Sequence, residues 1–145
     1  MAKQFYYEDV EAGSEIPAVE KNPTTQQLVR YAGASGDFYQ IHYDKDFALA
    51  NKLPGVILHG ALKNAFLGQL VTDFAGEHGW LRKLSVQYRG MDVPGVKLLA
   101  RGKVTRKWVE GDNHLVECEI WIENAKGEKT TPGSATVILP SRSAG

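Results

Sequence analysis

Hydrophobic positions follow two different periods along this chain of 145 residues. In the first half the period is helical. Leu28, Tyr31 and Ala32 form an apolar stripe behind Thr24-Thr25-Gln26-Gln27, which matches a capping box, with Asn22-Pro23 as a competing start. Gly33 and Gly36 are expected to stop that helix. A short helix is expected around Lys45 to Asn51, ended by Pro54-Gly55, and a longer one from about Ala61 to Phe74. In the longer one, Leu62, Phe66, Leu70 and Phe74 recur every fourth residue, while Ala61, Ala65, Leu67 and Val71 widen the apolar surface. A helix of that kind should be buried on most sides.

After Gly79 the period becomes two. Leu84, Val86 and Tyr88 alternate with Lys83, Ser85, Gln87 and Arg89, as in a half-buried strand. Leu98, Ala100, Val104 and Trp108 share one parity, and Val116, Cys118, Ile120 and Ile122 share another run beyond the turn Gly111-Asp112-Asn113. Ala135 to Leu139 follows a second turn at Asn124 to Gly127, and a further strand is expected near Ser14 to Glu20. The sum is an α+β fold, a single domain over residues 1–145 with an antiparallel sheet of about five strands around one long buried helix. One helix covers only part of such a sheet, and its open edges invite a second chain, so a dimer is expected.

Composition narrows the function classes. Seventeen basic residues balance 17 acidic ones, and 43% of residues are hydrophobic, so no net field draws a polyanion or an acidic membrane. Nucleic acid and membrane are therefore not expected as partners. The lone cysteine, Cys118, cannot close an internal disulfide, and its inward strand parity suggests a small buried hydrophobe. With no apolar run at the N-terminus, a cytoplasmic setting is expected. Ser141 to Gly145 has the composition of a loose tail.

Reactive side chains concentrate between Tyr31 and Asp44. Asp37 and His42, five positions apart in a loop made compact by Gly36, could converge on one small molecule and move protons near neutral pH. The alternative is a turn aspartate bonded to backbone and a structural histidine. The second cluster is Val56-Ile57-Leu58-His59-Gly60-Ala61, an apolar run that enters the long helix. There Gly60 would let a carbonyl oxygen approach unpaired helix amides, unless it is a plain helix start. His59, His78 and His114 show no metal-ligand spacing, so no metal is expected. Gly33-Ala34-Ser35-Gly36 lacks the features of a phosphate-cradling loop. Arg82, Lys83, Arg89, Arg101, Lys103, Arg106 and Lys107 read mainly as a solvated face, with phosphate contact as the second reading. Lys63, a polar interruption near the start of the long helix, is expected to snorkel outward.

Taken jointly, Tyr31 to His42 with Gly36-Asp37 and Ile41-His42, then Ala48, then His59-Gly60, resemble the motif of MaoC-like dehydratases, the (R)-specific enoyl-CoA hydratase (hydratase 2) family. That family has the hotdog fold. The resemblance implies reversible dehydration of (R)-3-hydroxyacyl thioesters to trans-2-enoyl thioesters, with Asp37 and His42 as the acid–base pair and the Gly60 N–H as oxyanion donor. It implies substrate contacts at His59 and Ala61, and Tyr39 is expected at the substrate too, offering a hydroxyl or narrowing the acyl pocket with its ring. It also implies a coenzyme A or acyl-carrier thioester as substrate, no metal or redox cofactor, and a homodimer or a heterodimer with another hotdog chain. Tyr39-Gln40 departs from the Asn-Pro usual between the catalytic pair, which keeps open a noncatalytic or partner-dependent subunit. An acyl-CoA thioesterase is the other alternative.

Overall fold

The computed structural model describes residues 3–143. Strands β1 (Glu15–Lys21), β2 (Trp80–Val86), β3 (Leu98–Glu110), β4 (Asn113–Glu123) and β5 (Lys129–Leu139) form one antiparallel sheet in the order β1-β3-β4-β5-β2. Helices α1 (Thr25–Ser35), α2 (Lys45–Ala50) and α3 (Gly60–Ala75) complete the domain. The sheet curls around α3, which touches all five strands. This is the α+β arrangement that the sequence pattern predicts, and it is the hotdog fold that the resemblance implies.

The curl has a local cause on β4. Val116, Cys118, Ile120 and Ile122 are fully buried toward α3, and small residues stand opposite them: Ala100, Gly102, Gly133 and Ala135. These leave depth for Leu67, Leu70 and Val71 of the helix, all within 1% of complete burial. A methyl group on Gly102 would stand 3.0 Å from both Glu119 O and the Ile120 side chain, so the close packing there excludes a Cβ.

Several details differ from the sequence expectation. Gly33 lies inside α1; only Gly36, at φ 80°, ends it, while Thr24 rather than Asn22 caps the start by accepting from Gln27 N at 3.1 Å. The second strand begins at Trp80 and ends before Tyr88. A register shift near Arg82 brings Leu81 and Leu84, three residues apart, to the inner face opposite Val137 and Ala135. A second shift, between Val104 and Arg106, inverts the parity of β3. Val104 pairs with inward Cys118, whereas Trp108 pairs with Leu115 on the other face, so Trp108 does not share Val104's side. Ala61 and Ala65 are exposed, so α3 has one open face, while Leu67 and Val71 are buried as expected. Lys63 does not snorkel: it is 3% exposed. The expected tail is tied down as far as it is described. Ser141 is buried against Glu8, and Arg142 pairs with Asp9 at 2.7 Å; Ala144 and Gly145 lie outside the described residues. Among the described residues no helix is long and apolar enough to cross a membrane.

Two substitutions on α3 separate its faces. Leu67→Ala should lower unfolding free energy by about 2–5 kcal/mol, whereas Ala65→Ser on the open face should change it by about 0.5 kcal/mol or less. Urea unfolding curves of both variants measure the difference.

Candidate active site

Three segments build the site. The first is the turn leaving α1. Gly36 in its left-handed conformation redirects the chain, Asp37 N donates to Ser35 Oγ at 3.1 Å, and Tyr39 N donates to Asp37 Oδ1 at 3.3 Å. A 3-10 turn over Gln40–His42 follows, with His42 N donating to Tyr39 O at 3.1 Å. The second segment, Val56 to His59, runs alongside it: Ile57 N donates to Ile41 O at 3.0 Å, and Ile57 O faces His42 Nδ1 at 2.8 Å. A carbonyl can only accept, so Nδ1 carries the proton and Nε2 keeps its lone pair. The third is the loop after β2, fixed where Leu58 N donates to Asp92 O at 2.9 Å.

Asp37 and His42 are thereby brought together. Asp37 Oδ2 stands 3.9 Å from His42 Nε2, with the imidazole nearly buried and the carboxylate half exposed. That separation is too long for a direct hydrogen bond and suits a hydroxyl or water oxygen bonded to both. His59 is fully buried and lines neither cavity described below. Its ring stacks on His42 at 3.8 Å, Tyr31 meets it edge-on at 4.7 Å, and its Nε2 donates to Asp37 O at 3.3 Å. His59 Nδ1 is then an unprotonated, buried atom without a partner. His59 thus touches both members of the pair, its ring on His42 and its Nε2 on the Asp37 carbonyl.

Ligand atoms of Asp37, His42 and His59 lie within 4.8 Å of one another. Stacked rings, however, carry their lone pairs in parallel planes, and His59 Nε2 is already committed to a carbonyl. The trio is not a preformed set for one ion.

His42 separates two cavities. One, of about 260 Å³, is bounded by His42, Gly60, Lys63, Tyr88, Arg89 and Met91. The other, of about 420 Å³, is bounded by Val29, His42, Tyr43, Val56, Val93 and Pro94 among others and is mainly apolar. Gly60 is the first residue of α3, so its N–H has no partner within the helix. A Cβ there would stand 3.0 Å from the Tyr88 ring, so any larger residue at the cavity floor would require that ring to shift. Tyr39 is exposed, with its ring 6.3 Å from that of His42, and borders neither cavity; Ala61 is exposed on the open face of α3.

Sequence reasoning missed Asp92, Tyr88 and the orientation of Lys63. Lys63 Nζ donates to Asp92 Oδ2 at 3.1 Å and to Gly90 O at 2.9 Å. Its isolation in an apolar helix was the available signal; Asp92, in a loop, offered none. The basic face resolves into ion pairs. Arg82, Arg101, Lys103, Arg106 and Lys107 each stand within 3.8 Å of a glutamate. Arg89 instead bonds the Gln87 amide and reaches the smaller cavity. Cys118 is fully buried, and burial pushes its thiol up to about 12, so it is inert as a nucleophile.

The sequence matches the MaoC like domain family over residues 9–124. Among curated proteins it is 39% identical over 70 residues to the fatty acid synthase beta subunit TOXC of Cochliobolus carbonum, covering 47% of this chain and 3% of that protein. The chain thus spans only a small part of that relative. Among solved structures it superposes on the R-hydratase PhaJ1 of Pseudomonas aeruginosa with a TM-score of 0.85 and 20% identity, covering 96% of this chain and 88% of that one. It also superposes on the ChsH1-ChsH2 complex of Mycobacterium tuberculosis with a TM-score of 0.77 and 19% identity, covering 88% and 97%.

The stacked imidazoles set a pH dependence. Burial, aided by the neighbouring His42, lowers the His59 pKa below its ordinary 6.5. Below that pH the unfolded chain takes up a proton that the folded chain resists, so stability falls on acidification. Urea midpoints at pH 5.5 and 7.5 should differ more for the native chain than for His59→Phe, which keeps a stacked ring without a titrating group.

Proposed function

This chain belongs to the MaoC-like domain family, and from that membership and its site geometry we propose that it adds water reversibly to trans-2-enoyl thioesters, forming (R)-3-hydroxyacyl thioesters. The observation that carries this reading is that His42, paired with Asp37, stands in the wall of the cavity floored by Gly60. In the hydration direction, water donates one hydrogen toward His42 Nε2 and the other toward Asp37 Oδ2. As its oxygen bonds to the β-carbon, the proton on the Asp37 side passes to that carboxylate. Asp37 then delivers it to the α-carbon, and His42 holds the oxygen in line throughout. Charge that develops on the thioester oxygen is met by the Gly60 N–H at the positive end of α3. Dehydration runs the same path backwards. Each proton moves between groups of this chain and its substrate, so the proposal calls for no metal or redox cofactor.

The carrier we propose is coenzyme A or an acyl-carrier arm. Arg89, at the smaller cavity, has no carboxylate within ion-pair distance among the described residues, which fits it to a phosphate at the mouth. The apolar cavity beyond His42 suits the acyl chain. β1 and β2 are both edge strands, and the proposed assembly is a dimer of this chain or a pair with an unlike hotdog chain. A partner-dependent role is the second reading. It is favoured by the exposed rings of Phe38, Tyr39 and Tyr43 around the catalytic turn, which a second chain would cover.

Loss of enoyl absorbance across a panel of trans-2-enoyl-CoAs tests the reaction. Asp37→Asn and His42→Ala should each lower the rate by about 10² or more; unchanged turnover in both would refute the assignment. Release of free thiol would mark a thioesterase. Inactivity alone, with activity restored to a separate hotdog partner, would mark the subunit role.

Arg89→Gln should raise KM for coenzyme A thioesters about two- to fivefold with little effect on kcat, the size expected of a partly exposed charge contact. A pantetheine thioester lacking the nucleotide should not register the change. Steady-state kinetics on both substrates check it.

A further inference from the structure

We propose that Lys63 supplies positive charge to the oxygen of the bound thioester, beside the Gly60 amide; this rests on the hydratase reading of the same cavity. A buried ammonium is costly unless it is paired, and Lys63 is paired. Lys63 Nζ donates to Asp92 Oδ2 at 3.1 Å and Gly90 O at 2.9 Å, and the same Oδ2 accepts from Thr130 Oγ at 2.6 Å. Lys63 and Asp92 are 3% and 4% exposed. Stability alone does not account for such a pair, because apolar residues of like volume commonly do as well.

Orientation supplies the use. Lys63 is among the residues that line the Gly60 cavity, whereas Asp92 is not. On this proposal the ammonium is the end of the pair that meets the thioester oxygen. An ammonium has three N–H donors; Gly90 and Asp92 take two, and the third is left over. Lys63 and Gly60 lie one turn apart in the first turn of α3, the end whose amides carry partial positive charge. The other ionisable side chains with polar ends at this cavity are His42, Tyr88 and Arg89, and none is bonded to Lys63.

The test uses the full-length chain and a dimethylaminocinnamoyl-CoA thioester, whose absorption moves to the red as its carbonyl is polarised. Lys63→Met with Asp92→Asn removes both charges while keeping an acceptor for Thr130. The double variant should lose more than half of the red shift and lower kcat about tenfold or more, less than a full oxyanion donor because Asp92 offsets part of the charge. Asp92→Asn alone should keep or enlarge the shift, since the ammonium is then unopposed. Thermal melts establish folding. Should the double variant not fold, a smaller shift in folded Asp92→Asn overturns the proposal. A full shift and a kcat within twofold of native in the double variant also overturn it, and leave hydration standing. A native chain that polarises the chromophore through Lys63 but does not hydrate enoyl thioesters keeps the Lys63 assignment and removes the hydratase reading. A native chain that binds no thioester removes both.

Discussion

The site depends on where a buried helix has to begin. α3 lies in the hollow of the sheet, and its first N–H groups cannot be satisfied within the helix, so its amino end must meet acceptors from elsewhere in the chain, from solvent or from a ligand. The chain leading into it is held on both sides. Ile57 uses its N–H on Ile41 and its carbonyl on His42, while Leu58 reaches Asp92. Backbone bonds thus hold the catalytic turn, the helix start and the loop after β2 as one unit, and Gly60 is left uncovered between them.

That unit also sorts the ionisable groups. The carbonyl of Ile57 fixes the His42 tautomer, and stacking against His59 means that charge on one ring opposes charge on the other. Burial and the neighbouring His42 hold the His59 pKa below its ordinary value, while His42 is the imidazole of the two that lines the cavities. His59 pays for this with an unpartnered Nδ1, a cost that makes sense for a residue whose work is to hold its neighbour.

Much of this was legible in the residue pattern. The five strands, the long helix and the pairing of Asp37 with His42 follow from alternation, from Gly36 and from the motif around them, because period and turn chemistry are local properties. What escaped was non-local. The inversion of Trp108 comes from an extra residue near Thr105, which no alternation count reveals. The burial of Lys63 depends on Asp92 and Thr130, 29 and 38 positions removed from their partners in the chain. The stacking of the His59 ring on His42 was likewise not legible, because it depends on where the helix start turns the side chain.

Tyr39-Gln40, in place of the Asn-Pro usual in such turns, can be understood in the same terms. The turn is ordered by main-chain groups at these positions: Tyr39 N to the Asp37 carboxylate, Tyr39 O from His42 N, and Gln40 O from Asp44 N at 2.8 Å. None of these bonds needs a side-chain amide. A tyrosine at position 39, exposed and with its ring outside both cavities, is therefore compatible with the main-chain bonds that bring Asp37 to His42.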